Sequence, residues 1–272
     1  MIKHTSPISK TAHYTAYVWY QYGLADSTFV TKLGEILYYL ELPFILLGRW
    51  LAGVDFHQML VFRHREIDQQ LEQAIAQGYT QIVEIACGLS SRGVKTAAKY
   101  GDQVTYYEGD LPSVIQIKEA ILESKQLKRP NHQLLDCDLL DAENSLAAMA
   151  KVLDPSKKTI CITEGLINYL PPAVLEKLWS QIAVFSKGFP QTLYLCDNFL
   201  NCQGTTSTVV RWYVMLLKIV TKGHVSTHFT EDAGMSNCLT SCGFENPVIL
   251  SPLGRDSLIR VISASGTAQV KQ

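Results

Sequence analysis

The sequence predicts an α/β fold: a mixed seven-stranded sheet, parallel over most of its width, ending in an antiparallel hairpin and covered by helices. Three observations carry this expectation. From Gln81 onward, short apolar runs alternate with helical patterns, the signature of a parallel sheet with crossover helices. The last two runs, 245–250 and 256–264, lie close enough to pair as a hairpin, which makes the sheet mixed. The chain has 272 residues, 47% of them hydrophobic, enough for one large domain with a well-buried core.

Residues 1–80 precede the sheet and read as helices and loops, an N-terminal helical cap segment. Within them, 36–54 (ILYYLELPFILLGRWLAGV) reads as buried or cap helix. Glu41, Pro43 and Arg49 interrupt the ~20 unbroken apolar residues that a membrane span needs. In 59–75, Leu60, Ile67, Leu71 and Ala74 mark the apolar face of a helix; Arg63 shares that face, whereas Arg65 points elsewhere. Strands follow at 81–86, 103–108, 132–136, 158–164 and 191–197, separated by helices near 92–100, 112–127, 141–153 and 172–187. The last helix is the clearest: Leu175, Leu178, Trp179, Ile182 and Phe185 fall on one face, and Pro171-Pro172 opens it. Residues 206–222 form an apolar helix and 229–242 a short amphipathic one before the hairpin. The expectation is a single structural domain: a Rossmann-like core over 81–272, the cap segment 1–80, and a cap insert near 200–228.

Composition narrows the function. Twenty-four Lys and Arg face twenty-five Asp and Glu, a net charge of −1, so no basic excess exists for a nucleic-acid backbone. Only 18% of residues are charged, against roughly 25% in typical soluble domains. The apolar content excludes disorder. Seven cysteines are not spaced as metal-ligand pairs, so no metal site is expected. The segment 209–220 is too short to span a membrane and holds Arg211 and Lys218. With no apolar signal region at the N-terminus, the expected compartment is a reducing cytoplasm, without a transmembrane segment.

Ligands of open α/β sheets bind at the carboxyl ends of the strands, beside the point where strand order reverses. The first strand ends Glu84-Ile85-Ala86-Cys87-Gly88-Leu89-Ser90-Ser91-Arg92, with a single glycine where G-x-G-x-x-G needs three. The second ends Glu108-Gly109-Asp110-Leu111-Pro112; Asp110 either holds a ribose diol or caps the next helix. Asp138 closes the third, where it could accept from an exocyclic amine, and Glu164 closes the fourth, where an unpaired buried carboxylate would be costly. Arg63 needs an anion: a buried partner such as Glu84 or Glu164, or a ligand carboxylate that its planar fork fits.

Six strings in order, TAHYTAYVW (11–19), RHREID (63–68), QIVEIACGLSSRG (81–93), YYEGDLP (106–112), CDLLD (137–141) and ITEGLINYL (162–170), make the chain resemble the leucine carboxyl methyltransferase family. These are class I S-adenosylmethionine-dependent methyltransferases, with a bacterial polyketide O-methyltransferase branch. The resemblance covers about Thr11 to Leu250 and implies S-adenosyl-L-methionine as cofactor. By it, Arg63 grips the methionyl carboxylate, Ala86 and Gly88 form the turn beneath that moiety, and Asp110 holds the ribose. Asp138 and Leu139 read adenine, and Glu164 lies near the cofactor's amino group. Glu84 and Leu111, within the same strings, join the cofactor set, and Tyr169 faces the reaction centre as the catalytic candidate. The family's turn is G-x-G-x-D-[ST]-R; here Ala86 replaces the first glycine and Ser90 the acid. The N-terminal lysine that the family uses on a protein phosphatase is missing around His13 to Ala16, which favours a small-molecule acceptor over a protein.

The expected reaction is methyl transfer to a carboxylate or phenol oxygen, with the surplus apolar residues at 14–62 and 209–220 lining an apolar acceptor pocket. His13, His224 and His228 are base candidates by cap position alone. Two other readings are an NAD-dependent oxidoreductase on the same fold and a non-catalytic cofactor-binding module.

Overall fold

The computed structural model describes residues 7–52, 55–200, 226–251 and 258–267. Three helices come first: α1 (Pro7–Gln21), α2 (Lys32–Ala52) and α3 (Phe56–Ala76). The alternating part runs β1 (Gln81–Ile85), α4 (Arg92–Tyr100), β2 (Thr105–Asp110), α5 (Pro112–Ser124), β3 (His132–Asp136), α6 (Ala142–Ala150), β4 (Thr159–Thr163), α7 (Pro172–Ser186) and β5 (Gln191–Phe199). It closes with α8 (Asp232–Ser241), β6 (Glu245–Leu250) and β7 (Ile259–Thr267).

The seven strands lie in the order β3-β2-β1-β4-β5-β7-β6. Strands β1 to β5 run parallel; β7 is antiparallel to both β5 and β6. The sheet is therefore the mixed α/β sheet expected from the sequence. Strand order reverses between β1 and β4, which opens the crevice at their carboxyl ends. All five residues of β1 and of β4 are buried, because helices cover both faces and erase the alternating pattern. The edge strand β6 tolerates Pro247, whose missing N–H breaks no central ladder.

Most boundaries fall within two residues of expectation, and β3, β6 and α4 coincide with it. Two strands shift. Strand β2 runs to Asp110, making the acid the last strand residue, and β7 lies three residues later than 256–264. The expected helix at 206–222, most of the insert near 200–228, and His224 lie outside the described residues.

Helix α3 joins two environments. Its first half packs with Tyr14, Tyr17, Val18 and Tyr38 of α1 and α2, and its second half, through Ile67, Leu71 and Ala74, packs on the sheet against Ile82, Ile160 and Ile162. Arg63 sits at the junction, above the strand ends. One expectation is corrected here. The apolar surplus of 14–62 does not all line a pocket: Tyr39, Leu40, Phe44 and Trp50 of α2 face solvent, while Tyr38 and Ile45 face inward. Among the described residues no helix is long and apolar enough to cross a membrane.

Candidate active site

The turn after β1 is shaped by backbone, not by side-chain bulk. Gly88 has φ 53°, and a Cβ there would lie 3.2 Å from the Cβ of Ala12, so the glycine lets α1 close over the turn. Ala86, standing at the family's first glycine, also adopts a left-handed conformation, φ 57°, which L-residues enter at a cost. Its methyl is accommodated without a shift of that residue into ordinary backbone space.

Asp110 ties β2 to this turn. One carboxylate oxygen accepts from the amide of Gly88 at 2.7 Å, the other from the amide of Leu111 at 2.7 Å. Asp110 is not the N-cap of α5, which is Leu111, and of the roughly four acceptor positions of a carboxylate two are used by these amides. Burial pushes the Asp110 carboxyl upward, and the two amides pull it partly back. Asp138 is exposed beyond β3, its backbone locked by Ser145, whose Oγ accepts from its amide at 3.1 Å and donates to its carbonyl at 2.9 Å. Leu139, half-buried, follows in a short 3-10 turn.

The centre of the site is a buried charge cluster at the ends of β1, β4 and β5. Arg63 donates from Nε to Glu164 Oε1 at 3.0 Å and from Nη1 to Asp197 Oδ2 at 3.2 Å. Arg92 donates to Glu84 Oε1 at 2.6 Å, and also to Glu164 Oε2 and Asp68. Tyr106 donates to the second oxygen of Glu84 at 2.6 Å. His64 Nδ1 lies 2.9 Å from Glu164 Oε2, and Trp19 lies tilted against its ring at a 4.2 Å centroid distance. Burial opposes the Glu164 charge, but His64, Arg92 and Arg63 overcome it and hold the carboxyl well below its usual range. Burial likewise opposes the Arg63 charge, and Asp197 and Glu164 more than restore it. Asp197 differs: burial dominates and raises its carboxyl despite Arg63.

The charge count is uneven. Three buried carboxylates, Glu84, Glu164 and Asp197, face two guanidiniums, with the His64 imidazole between them. Burial raises the Glu84 and Asp197 carboxyls, so the excess is relieved by a proton on one of them or by a cationic group brought by a ligand. Two buried polar atoms beside the cluster also lack hydrogen-bond partners, Trp19 Nε1 and Ser91 Oγ at the start of α4.

Arg63, Glu84 and Glu164, Ala86, Gly88 and Asp110 thus gather around the β1–β4 crevice, and Tyr169 joins them close to Arg63. Burial pushes the Tyr169 phenol up, although a hydrogen bond with Thr11 and the charge of Arg63 lower it. Of the two buried partners foreseen for Arg63, Glu164 is one; Glu84 instead belongs to Arg92 and Tyr106. Sequence reading missed Asp197, Arg92, His64, Trp19 and Gly165. The first was visible in principle, since Asp197 ends the apolar run Tyr194-Leu195-Cys196 as Glu164 ends β4. Gly165 has φ 69°, a Cβ there would lie 3.2 Å from Arg63 Nη2, and its amide donates to Asp197 Oδ1 at 2.6 Å. Its glycine makes room for the flat guanidinium.

The histidines named for cap position are tied elsewhere. His13 Nδ1 lies 2.9 Å from Thr31 Oγ1, and His228 Nε2 lies 3.1 Å from the carbonyl of Ile167. His57, which sequence reading passed over, is buried with Nε2 2.9 Å from the Tyr14 hydroxyl.

Residues 47–183 match the model of the leucine carboxyl methyltransferase family. A Mycobacterium ulcerans (strain Agy99) protein named as an S-adenosyl-L-methionine-dependent methyltransferase is 34% identical over 151 residues, 55% of this chain and 49% of that protein. A Mycobacterium marinum (strain ATCC BAA-535 / M) protein of the same description is 34% identical over 133 residues, 48% of this chain and 43% of that protein. The chain matches about half the length of these curated relatives. Among solved structures, a protein from Thermobifida fusca YX titled as a methyltransferase has a TM-score of 0.65 at 14% identity, covering 94% of each chain. Human N-acetylserotonin methyltransferase, solved with SAM, has a TM-score of 0.52 at 10% identity, covering 96% of this chain and 66% of its own. At such identities these likenesses establish the fold.

Proposed function

This chain belongs to the leucine carboxyl methyltransferase family, and from that premise we propose that it transfers a methyl group from S-adenosyl-L-methionine to an oxygen of a small, largely apolar acceptor. The observation that carries the reading is the charge count at the strand ends. A buried cluster with more carboxylates than guanidiniums among the described residues, with Arg63 inside it between Glu164 and Asp197, suits a ligand that is an amino acid bearing an additional positive charge. Arg63 would take the ligand carboxylate, with Glu164 and Asp197 near its ammonium group. Asp110 has acceptor positions left that would suit two ribose hydroxyls, Gly88 brings bare backbone and Ala86 a single methyl to the turn, and Asp138 with Leu139 would bound the adenine. Leu111 contributes through its backbone, and Glu84 acts one step back, by fixing Arg92.

The cofactor supplies an electrophilic methyl when bound; the chain's task is to orient donor and acceptor and to exclude water. Helix α1 does the last, through Ala12 over the turn and Trp19 over His64. Tyr169, whose burial favours the protonated phenol, is a hydrogen-bond donor at neutral pH and suits orienting an acceptor oxygen, not deprotonating it. A carboxylate acceptor is already a nucleophile and fits a site arranged in this way. A phenol acceptor would draw on the Tyr14–His57 pair in the cap.

Isothermal calorimetry on the pure chain tests the reading. S-adenosylhomocysteine is expected to bind in the micromolar range and NAD not at all. No binding of S-adenosylmethionine at millimolar concentration would overturn it. Labelled-methyl transfer into extracts of native metabolites then identifies the acceptor and its atom.

A further inference from the structure

Helix α2 presents an apolar stripe to solvent. Tyr39, Leu40, Phe44, Leu46 and Leu47 are each exposed by half or more, and Trp50 by 81%. The opposite side of the same helix, with Tyr38 and Ile45, is buried against α1 and α3, so the stripe is an outer face of a well-packed element. Large side chains exposed to this extent offer on the order of 800–1,000 Å² together, beyond the ~300–600 Å² of the largest patch on a typical monomer. That area matches the ~800 Å² per partner buried in a stable interface.

We propose that this face is covered by α2 of a second copy of the chain, running antiparallel. Two features select this occupant. Glu35 lies near the start of α2 and Arg49 near its end, fourteen residues apart and so on one flank of the stripe. In an antiparallel pair, residues on the same flank meet, so Glu35 of each copy faces Arg49 of the other, twice by symmetry. The same register sets Leu40 opposite Phe44 and brings Ile36 and Tyr39 within one residue of level with Leu47 and Leu46. One alignment satisfies both charge and apolar pairing. A parallel pair in register would place the two charged flanks on opposite sides of the seam and bring neither Glu35 nor Arg49 to an opposite charge. A membrane surface fits less well: among the described residues, Lys32–Glu35 at 2.9 Å and Arg49–Asp55 at 3.6 Å neutralise the flanks of the stripe. The internal pairs are exposed and weak enough to be exchanged on association. The dimer buries the outer side of the helices whose inner side closes over the candidate site.

Analytical ultracentrifugation of the full chain at micromolar concentration is expected to give twice the 30.4 kDa protomer mass. Glu35→Arg and Arg49→Glu should each weaken the dimer about tenfold or more, since each turns two attractions into two repulsions. Glu35→Arg/Arg49→Glu should restore it to within about threefold, and an equimolar mixture of the two single variants should form a heterodimer. Circular dichroism of each variant, with these rescues, separates loss of pairing from loss of fold. A monomer at high micromolar concentration, a dimer indifferent to both single reversals, or no rescue would overturn the proposal. So would a monomer that instead sediments with phosphatidylcholine–phosphatidylserine vesicles.

Discussion

Two buried charge clusters sit on this sheet, and they differ in what they lack. One, under α4 and α5, joins Lys118 to Glu108 at 2.7 Å and His132 to the other oxygen of Glu108 at 2.8 Å. Lys118 and Glu108 are both fully buried, with the ammonium 5.5 Å over the Phe29 ring. One carboxylate meets one lysine and one imidazole and both its oxygens have a partner, although the far imidazole nitrogen, His132 Nδ1, has none. The other, at the ends of β1, β4 and β5, sets three carboxylates against two guanidiniums and leaves polar atoms of Trp19 and Ser91 unmatched beside it. Burial of charge is common to both. What separates a strut from a ligand site is whether the carboxylates are matched by cations of the protein and whether the cluster stands where strand order reverses.

The sharpest way to break this comparison is to remove one cation from each cluster. Lys118→Met strands a buried carboxylate and should cost about 3–5 kcal/mol of stability in urea titration, with S-adenosylhomocysteine affinity of the folded protein unchanged. A large affinity loss at unchanged stability would erase the distinction. Arg63→Ala should do the reverse in kind, weakening S-adenosylhomocysteine about 100-fold (about 3 kcal/mol) by calorimetry. Unchanged affinity would take Arg63 out of the binding site.

Acid titration sharpens the same contrast. Burial alone would raise the Glu108 carboxyl, but Lys118 and His132 bring it down to about 2. A depressed carboxylate stabilises the fold fully above its ordinary value near 4.5, and that contribution fades as pH falls toward 2. Chemical denaturation between those values should show a loss of about 2 kcal/mol attributable to this residue, missing in Glu108→Gln. If the variant and the parent lose stability alike, the cluster is not the strut described. The smallest effect belongs to the turn: Ala86→Gly relieves a left-handed alanine and should stabilise by about 0.5–1 kcal/mol, seen as a raised melting temperature.

The strands and helices were legible because their signals are local. Leu175, Leu178, Trp179 and Ile182 announce α7 by spacing alone, and all are buried. The acids closing β2 and β4 were legible as strand-closing residues and the structure gathers Asp110 and Glu164 near the crevice, whereas Asp138 stands exposed beyond β3. The same reasoning did not distinguish Glu164 from Glu108, because both are carboxylates in apolar strands and only their partners differ. Nor did it find Asp197 or Arg92. The outward face of α2 was misread as pocket lining, since composition counts apolar residues without saying which side of a helix meets the rest of the chain.

The sequence by itself determined the order of elements along the chain and the kinds of side chain that close each strand. Those follow from interactions within a few residues, where period and turn chemistry act. Only the tertiary structure decided the strand order, with its reversal between β1 and β4, and which charges meet. Arg63 finds Glu164 101 residues away and Asp197 134 away, and the resulting surplus of negative charge exists in no single segment. Ion pairing depends on separations of about 3 Å in a low-dielectric interior, and the packing of α3 across the strand ends sets those separations.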